Sequence, residues 1–153
     1  MRRKEKHGTV RIFYALLAIF TALSAIGCKR AKLPDYREGA FCAELRWVSG
    51  AVTMCATADV GAPKADGTKR DLTLTFSEPP SMCGIELIRI GGTLTLRRGD
   101  MEHECAGAEG WLIGAELLCS QSPDVSITLD KNGSPMLAES AECAVTVIRF
   151  QRK

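Results

Sequence analysis

Strict alternation of apolar and polar residues is the feature that most constrains how this chain can fold. The alternation runs through residues 72–76, 93–96, 125–129 and 145–148. Because successive side chains of a strand point to opposite sides of a sheet, this period places one apolar face on a core and leaves a polar face towards solvent. Threonine, valine and isoleucine strengthen the preference for strands. The pattern therefore predicts short strands that bury only one side.

Glycine-containing turns join several of these runs. Gly91-Gly92 separates the apolar runs at residues 85–90 and 93–97. A two-residue connection with positive φ angles suits a tight hairpin, and glycine adopts such angles without strain. Ser49-Gly50 and Asn132-Gly133 predict two further hairpins.

The number of runs predicts an all-β domain. With residues 41–48 and 51–58, the chain offers seven or eight short strands. Pro79-Pro80 separates two of them, because proline cannot donate a hydrogen bond to a neighbouring strand. Regularly spaced short strands are typical of a single antiparallel sandwich or barrel. We therefore expect one such domain, with its strands joined mainly by hairpins.

One segment departs from the strand pattern. In residues 109–119, the side chains of Trp111, Ala115 and Leu118 fall on one helical stripe, which predicts a short helix. The glycines within the segment lower its helix propensity. Trp111 and the other tryptophan of the chain, Trp47, are predicted to lie in the core or at its edge rather than to form a ligand platform.

The amino-terminal residues have the composition of an export signal. A basic start at Arg2-Arg3-Lys4 precedes an apolar run over residues 12–26, and small residues precede Cys28. This order is typical of a secretory signal peptide. The apolar stretch that ends at Gly27 has sixteen residues, fewer than the ~20 that a membrane-spanning helix requires. Cleavage is therefore favoured over an uncleaved anchor.

The tetrapeptide Ala25-Ile26-Gly27-Cys28 resembles the lipobox of bacterial lipoproteins. The resemblance covers residues 1–28 only. It implies cleavage before Cys28 and attachment of fatty acyl chains such as palmitate to that cysteine and to the new amino terminus. In enteric members an aspartate after the cysteine causes retention in the inner membrane, so Lys29 implies the outer membrane, facing the periplasm. The chain is thereby divided into a signal peptide at 1–27, a charged tether at 28–40 and a β-rich domain at 41–153.

The charge balance argues against nucleic acid as a partner. The whole chain has a formal net charge of +2. Removal of residues 1–27 leaves 15 basic and 17 acidic residues, a net charge of −2. The basic excess thus belongs to the export signal, whereas nucleic-acid-binding domains carry clustered positive charge.

The cysteine count is consistent with export. Without Cys28, six of the seven cysteines remain. An even number in an oxidising compartment predicts three disulfides that staple the domain, although the spacing does not choose among the pairings. A metal or redox site is the alternative, but the chain contains no C-x-x-C motif. The predicted disulfide cysteines are Cys42, Cys55, Cys83, Cys105, Cys119 and Cys143.

Catalytic motifs are missing from the sequence. There is no G-x-S-x-G, S-x-x-K or H-E-x-x-H pattern. The densest ionisable cluster surrounds His103, the only histidine after the signal. On a strand, Glu102 and Glu104 would share the face opposite His103, so a solvated turn is favoured over an acid/base unit.

The sequence favours a non-enzymatic role, with no cofactor or metal predicted. We expect a membrane-anchored lipoprotein with a binding or structural role, whose partner is an envelope protein or polymer. One alternative is an envelope enzyme in which His103 meets Asp124, Asp130 or a serine. Another is an inhibitor of an envelope-attacking hydrolase.

Overall fold

The computed structural model describes residues 35–153, and its regular structure is almost entirely β. The only α-helix in this part of the chain is α1, Ile113–Cys119, so the prediction of an all-β fold with one short helix is confirmed. No helix among these residues is long and apolar enough to cross a membrane. Three short 3-10 helices span Tyr36–Glu38, Pro80–Met82 and Ala108–Leu112. The strands are β1 Phe41–Ser49, β2 Val52–Val60, β3 Leu72–Glu78, β4 Glu86–Ile90, β5 Thr93–Arg98, β6 Met101–Glu104, β7 Ser126–Leu129, β8 Pro135–Glu139 and β9 Ala144–Arg152.

The nine strands form one open antiparallel sheet in the order β6-β5-β4-β3-β2-β1-β9-β8-β7. The first six strands form a continuous meander. A second meander, β7 to β9, returns so that β9 pairs with the free side of β1. The sheet ends at β6 and β7, so the prediction of a closed barrel or a two-sheet sandwich with seven to eight strands is wrong.

Alternation does not predict strand β6, because Met101 is its only apolar residue. All four of its residues are exposed. It nevertheless pairs with β5, and His103 lies opposite Leu96 while Glu102 lies opposite Arg97. An edge strand is held by backbone hydrogen bonds on one side and needs no buried side chains of its own, so alternation does not reveal it.

The predicted hairpins are confirmed. Gly91 and Gly92 connect β4 to β5 with φ angles of 58° and 91°. Between β7 and β8, the carboxylate of Asp130 accepts hydrogen bonds from the backbone N–H groups of Asn132 and Ser134, both at 2.8 Å. These bonds, chiefly the one from Ser134, lower the pKa of Asp130.

The buried face of the sheet carries the core, and the helical segment packs on it. Phe41, Leu45 and Trp47 of β1 are almost completely buried. Leu112, Ala115 and Leu118 of the helical segment are fully buried as well. Trp47 is thus a core residue, as predicted. Trp111 is 43% exposed and lies at the core edge, where it contacts Phe76 edge to face at a ring-centre distance of 6.1 Å.

Candidate functional site

A row of polar side chains on the outer face of the sheet is a candidate binding surface. Register places one residue of the row on each of seven neighbouring strands. Glu44 forms an ion pair with Arg149 at 3.1 Å, and the Arg97 Nε donates to Glu86 at 2.6 Å. The members, all exposed or half-buried, are Arg149, Glu44, Thr57, Thr75, Glu86, Arg97 and Glu102. This polar row therefore presents charged and hydroxyl side chains along one line across the strands.

Cys55 lies in the next row of the same outer face. It faces Arg46 on β1 and Glu78 on β3. Its thiol donates a hydrogen bond to the Glu78 carboxylate at 2.9 Å. Burial, followed by the contact with Glu78, raises the pKa of Cys55. The group is therefore held as a neutral thiol, and a neutral thiol is a weak nucleophile and metal ligand.

The predicted disulfide staple is not supported, because all six cysteines in residues 35–153 are free thiols. Cys42 faces Asp59 and Gln151 across the sheet. The Cys42 and Cys55 positions lie on adjacent strands but are four residues out of register, an offset of about 13 Å. A disulfide requires Cα atoms within about 7 Å.

The structure does not bring His103 to its predicted partners. His103 is on β6, at one edge of the sheet, and Asp124 and Asp130 flank β7, at the other edge. The carboxylate of Asp124 accepts from Ser122 instead. His103 does lie on the face opposite Glu102, as predicted. Within the described range, no three histidine, cysteine or acidic side chains approach closely enough to hold a metal ion.

An open cleft of about 430 Å³ lies beside the start of β5. Glu104 and Glu109 supply carboxylates to its lining, and Cys105 supplies a thiol. Lys69 lies 3.8 Å from Glu109 and neutralises part of that charge. The remaining lining residues are Gly92, Thr93, Leu94, Ala106 and Gly107. Such a lining can accept hydrogen bonds but contains no paired acid and base in contact.

The segment before β1 is bound firmly to the carboxyl end of α1. Tyr36, which the sequence places in the tether, is 3% exposed, and its hydroxyl donates to the Leu118 carbonyl at 2.8 Å. Arg37 donates to the Ser120 carbonyl at 2.9 Å and pairs with Asp35 at 2.7 Å. These contacts satisfy carbonyl groups that a helix end leaves without partners, and they place a cation near its negative dipole end.

A buried arginine lies beside this attachment. Arg89, 6% exposed, forms an ion pair with Glu116 of α1, and its Nε donates to the Arg70 carbonyl at 3.1 Å. Arg70 in turn donates to the Gly39 carbonyl at 3.1 Å. The two arginines thus connect β4, the β2–β3 loop and the start of the domain. The alternation of β4 could have revealed Arg89, because it occupies the same face as the buried Leu87.

We expect the domain to lose stability at alkaline pH. Burial raises the pKa of the Tyr36 phenol and of the Cys119 and Cys143 thiols. The unfolded chain releases these protons at the ordinary values of about 8.5 for thiols and 10 for phenols. The folded chain retains them, so the free energy of unfolding must fall as pH rises through that range.

Urea unfolding between about pH 7 and pH 11 tests this expectation. The urea midpoint should decline above about pH 8.5. Tyr36→Phe should remove the part of the decline above about pH 10, although it also removes the hydrogen bond to Leu118. A midpoint independent of pH across this range would contradict the burial of these groups.

The chain shows no significant similarity to a known protein family, to a curated protein or to a solved structure.

Proposed function

We propose that this chain is a lipid-anchored lipoprotein with a non-catalytic binding or structural role in the bacterial envelope. In this proposal the signal at residues 1–27 is removed and Cys28 carries the acyl chains. The domain then faces the periplasm from the outer membrane. The observation that carries the proposal is the basic start, short apolar run and lipobox-like tetrapeptide that end at Cys28.

The folded domain begins only a few residues after Cys28, which supports a short connection to the membrane. Six residues separate Cys28 from Asp35, and Tyr36 is already buried in the domain. Even when fully extended, this connection spans no more than about 25 Å. The domain would therefore lie close to the membrane surface, with the start of β1 nearest to it.

The polar row on the outer face supports binding to a macromolecule rather than to a small ligand. Its seven residues, five of them charged, lie on seven neighbouring strands instead of converging on one point. Neighbouring strands lie about 4.8 Å apart, so the row extends over roughly 29 Å. A protein or envelope polymer is long enough to contact several of these groups together.

Cys28→Ser should abolish membrane anchoring. Serine provides no thiol for acylation, so we expect loss of acyl mass and loss of the chain from the outer-membrane fraction after cell fractionation. The measurement is the intact mass of the protein from isolated membranes, with and without alkylation under denaturing conditions. Acyl chains on Cys28 and six alkylated thiols in the absence of reductant are the expected result.

Cys83→Ser provides the matched control, because Cys83 is an exposed thiol of the domain. This variant should keep its acyl chains and its membrane fraction. An unacylated wild-type chain, or a Cys28→Ser variant that remains in the membrane, would refute the anchor. Crosslinking in cells that recovers neither an envelope protein nor a polymer would refute the binding role.

A further inference from the structure

The hairpin between β7 and β8 contains the only asparagine of the chain, Asn132. It stands in the sequence Asn132-Gly133-Ser134. An asparagine that is followed by any residue except proline, and then by serine or threonine, is the acceptor pattern for N-linked glycans in exported proteins. A pattern of three residues arises often by chance, so its position in the structure and in the cell decides whether it is used.

The structure places this acceptor pattern at an exposed loop tip. Lys131 and Asn132 are exposed, and Gly133 turns the chain with a φ angle of 75°. Two further hydrogen bonds shape the loop, and both join backbone groups: the Asp130 N–H donates to the Ser134 carbonyl at 2.8 Å, and the Gly133 N–H donates to the Asp130 carbonyl at 3.1 Å. In the part of the chain that the structure describes, β7 is the last strand of the sheet, so no strand flanks the outer side of this hairpin. A bulky group on Asn132 therefore has room.

The order of strands leaves the acceptor pattern accessible in a chain that is being exported. β8 joins the sheet through β9, which is the last strand in the chain. Until residues 144–152 have crossed the membrane, the β7–β8 hairpin has no place in the sheet. In the folded domain, Arg152 of β9 donates to the Gly133 carbonyl at 3.2 Å and holds the loop. A transferase in the membrane would thus reach Asn132 before this contact forms.

We propose that Asn132 carries an N-linked glycan. In the transfer, Nδ2 of Asn132 forms a bond to the anomeric carbon of a lipid-linked oligosaccharide diphosphate. The bond between that carbon and the diphosphate oxygen breaks, the oxygen keeps the electron pair, and one Nδ2 proton passes to a base of the transferase. The modification rests on the proposed function in one respect, the export of the chain, because donor and transferase belong to the exporting membrane. It does not depend on acylation of Cys28.

A glycan at this position would cover apolar surface that the fold leaves exposed. Leu129, 49% exposed, and Met136, 51% exposed, lie three and four residues from Asn132 on the same hairpin. Strand β7 itself contains no charged residue, and proteins cover or charge such edge strands to prevent pairing with other chains. A hydrophilic glycan supplies that cover.

Mass spectrometry of the full chain, taken from the cells that naturally produce it, tests this modification. Trypsin should release residues 132–149 as a peptide that is heavier than its sequence by the mass of a glycan, with fragment ions that retain one sugar on Asn132. Asn132→Gln and Ser134→Ala should each remove the added mass, whereas Ser134→Thr should keep it, because either hydroxyl residue completes the pattern. Ser140→Ala, in the turn after β8, is the matched control and should keep the glycan.

The outcomes separate the glycan from the anchor. We expect part of the chains to be modified, because Pro135 restricts the conformations that Ser134 can adopt in a transferase site. An unmodified peptide in every chain that has lost residues 1–27 would overturn the glycan and leave the anchor standing. Sugar that persists in Asn132→Gln would also overturn it. A glycosylated chain without acyl groups on Cys28 would support the glycan and refute the anchor, whereas an unmodified chain that keeps residues 1–27 would overturn both.

Discussion

Gly114→Leu should destabilise the domain by about 1–3 kcal/mol, since the added side-chain atoms crowd the core. An ideal Cβ at Gly114 would already lie 3.2 Å from Cε3 of the Trp47 indole. Trp47 is 3% exposed and packs against Phe76 at a ring-centre distance of 6.3 Å, so it has little room to move. Urea unfolding followed by tryptophan fluorescence measures the loss directly.

Gly110→Leu is the matched control for this substitution. Gly110 lies in the preceding 3-10 helix, and nothing lies within 4 Å of its ideal Cβ. We expect its free energy of unfolding to change by less than about 1 kcal/mol, because exposed substitutions away from packing contacts are usually mild. Equal losses at the two glycines would show that α1 does not pack on Trp47 as described.

Glu116→Ala should destabilise the domain by about 2 kcal/mol, because it leaves the buried Arg89 guanidinium without its counter-charge. The expected loss is smaller than for a fully buried pair, since the Glu116 side chain is 35% exposed and water screens part of the interaction. Thermal or urea unfolding of the purified variant measures it.

Two further variants separate the ion pair from other effects of the substitution. Glu109→Ala removes a 65% exposed carboxylate that lies 3.8 Å from Lys69, and should cost less than about 0.5 kcal/mol. Arg89→Met in the Glu116→Ala background should recover part of the lost stability, because it removes the unpaired charge. A double variant less stable than Glu116→Ala would contradict the role assigned to the pair.

Local features of the fold followed from the sequence because each has a local cause. The β4–β5 hairpin depends on the positive φ angles of Gly91 and Gly92, and the buried positions of β1 depend on its alternation. Whether the sheet closes into a barrel has no such local cause. Alternation shows that one face is buried, but the partner of β9 and the pairing of the polar β6 are decided by contacts distant in the chain.

The cysteines and His103 show more clearly that a local pattern does not predict contacts between distant segments. An even number of cysteines predicted disulfides, yet pairing depends on register, and Cys55 faces Arg46 rather than a second cysteine. His103 could be assigned to the face opposite Glu102 from alternation alone. Its separation from Asp130 follows from the order of strands across the whole sheet, which no short segment encodes.

The two-sided pairing of β1 has a mechanical consequence. β1 is bonded to β2 on one side and to β9 on the other, and Tyr36 secures the residues just before it. Tension between a membrane anchor and a partner bound on the sheet would enter the domain along β1. The hydrogen bonds of an antiparallel sheet are perpendicular to its strands, so such a load shears many of them at once. An edge strand under the same tension would peel away bond by bond, so β1 is the better placed of the two to resist a load applied at its amino end.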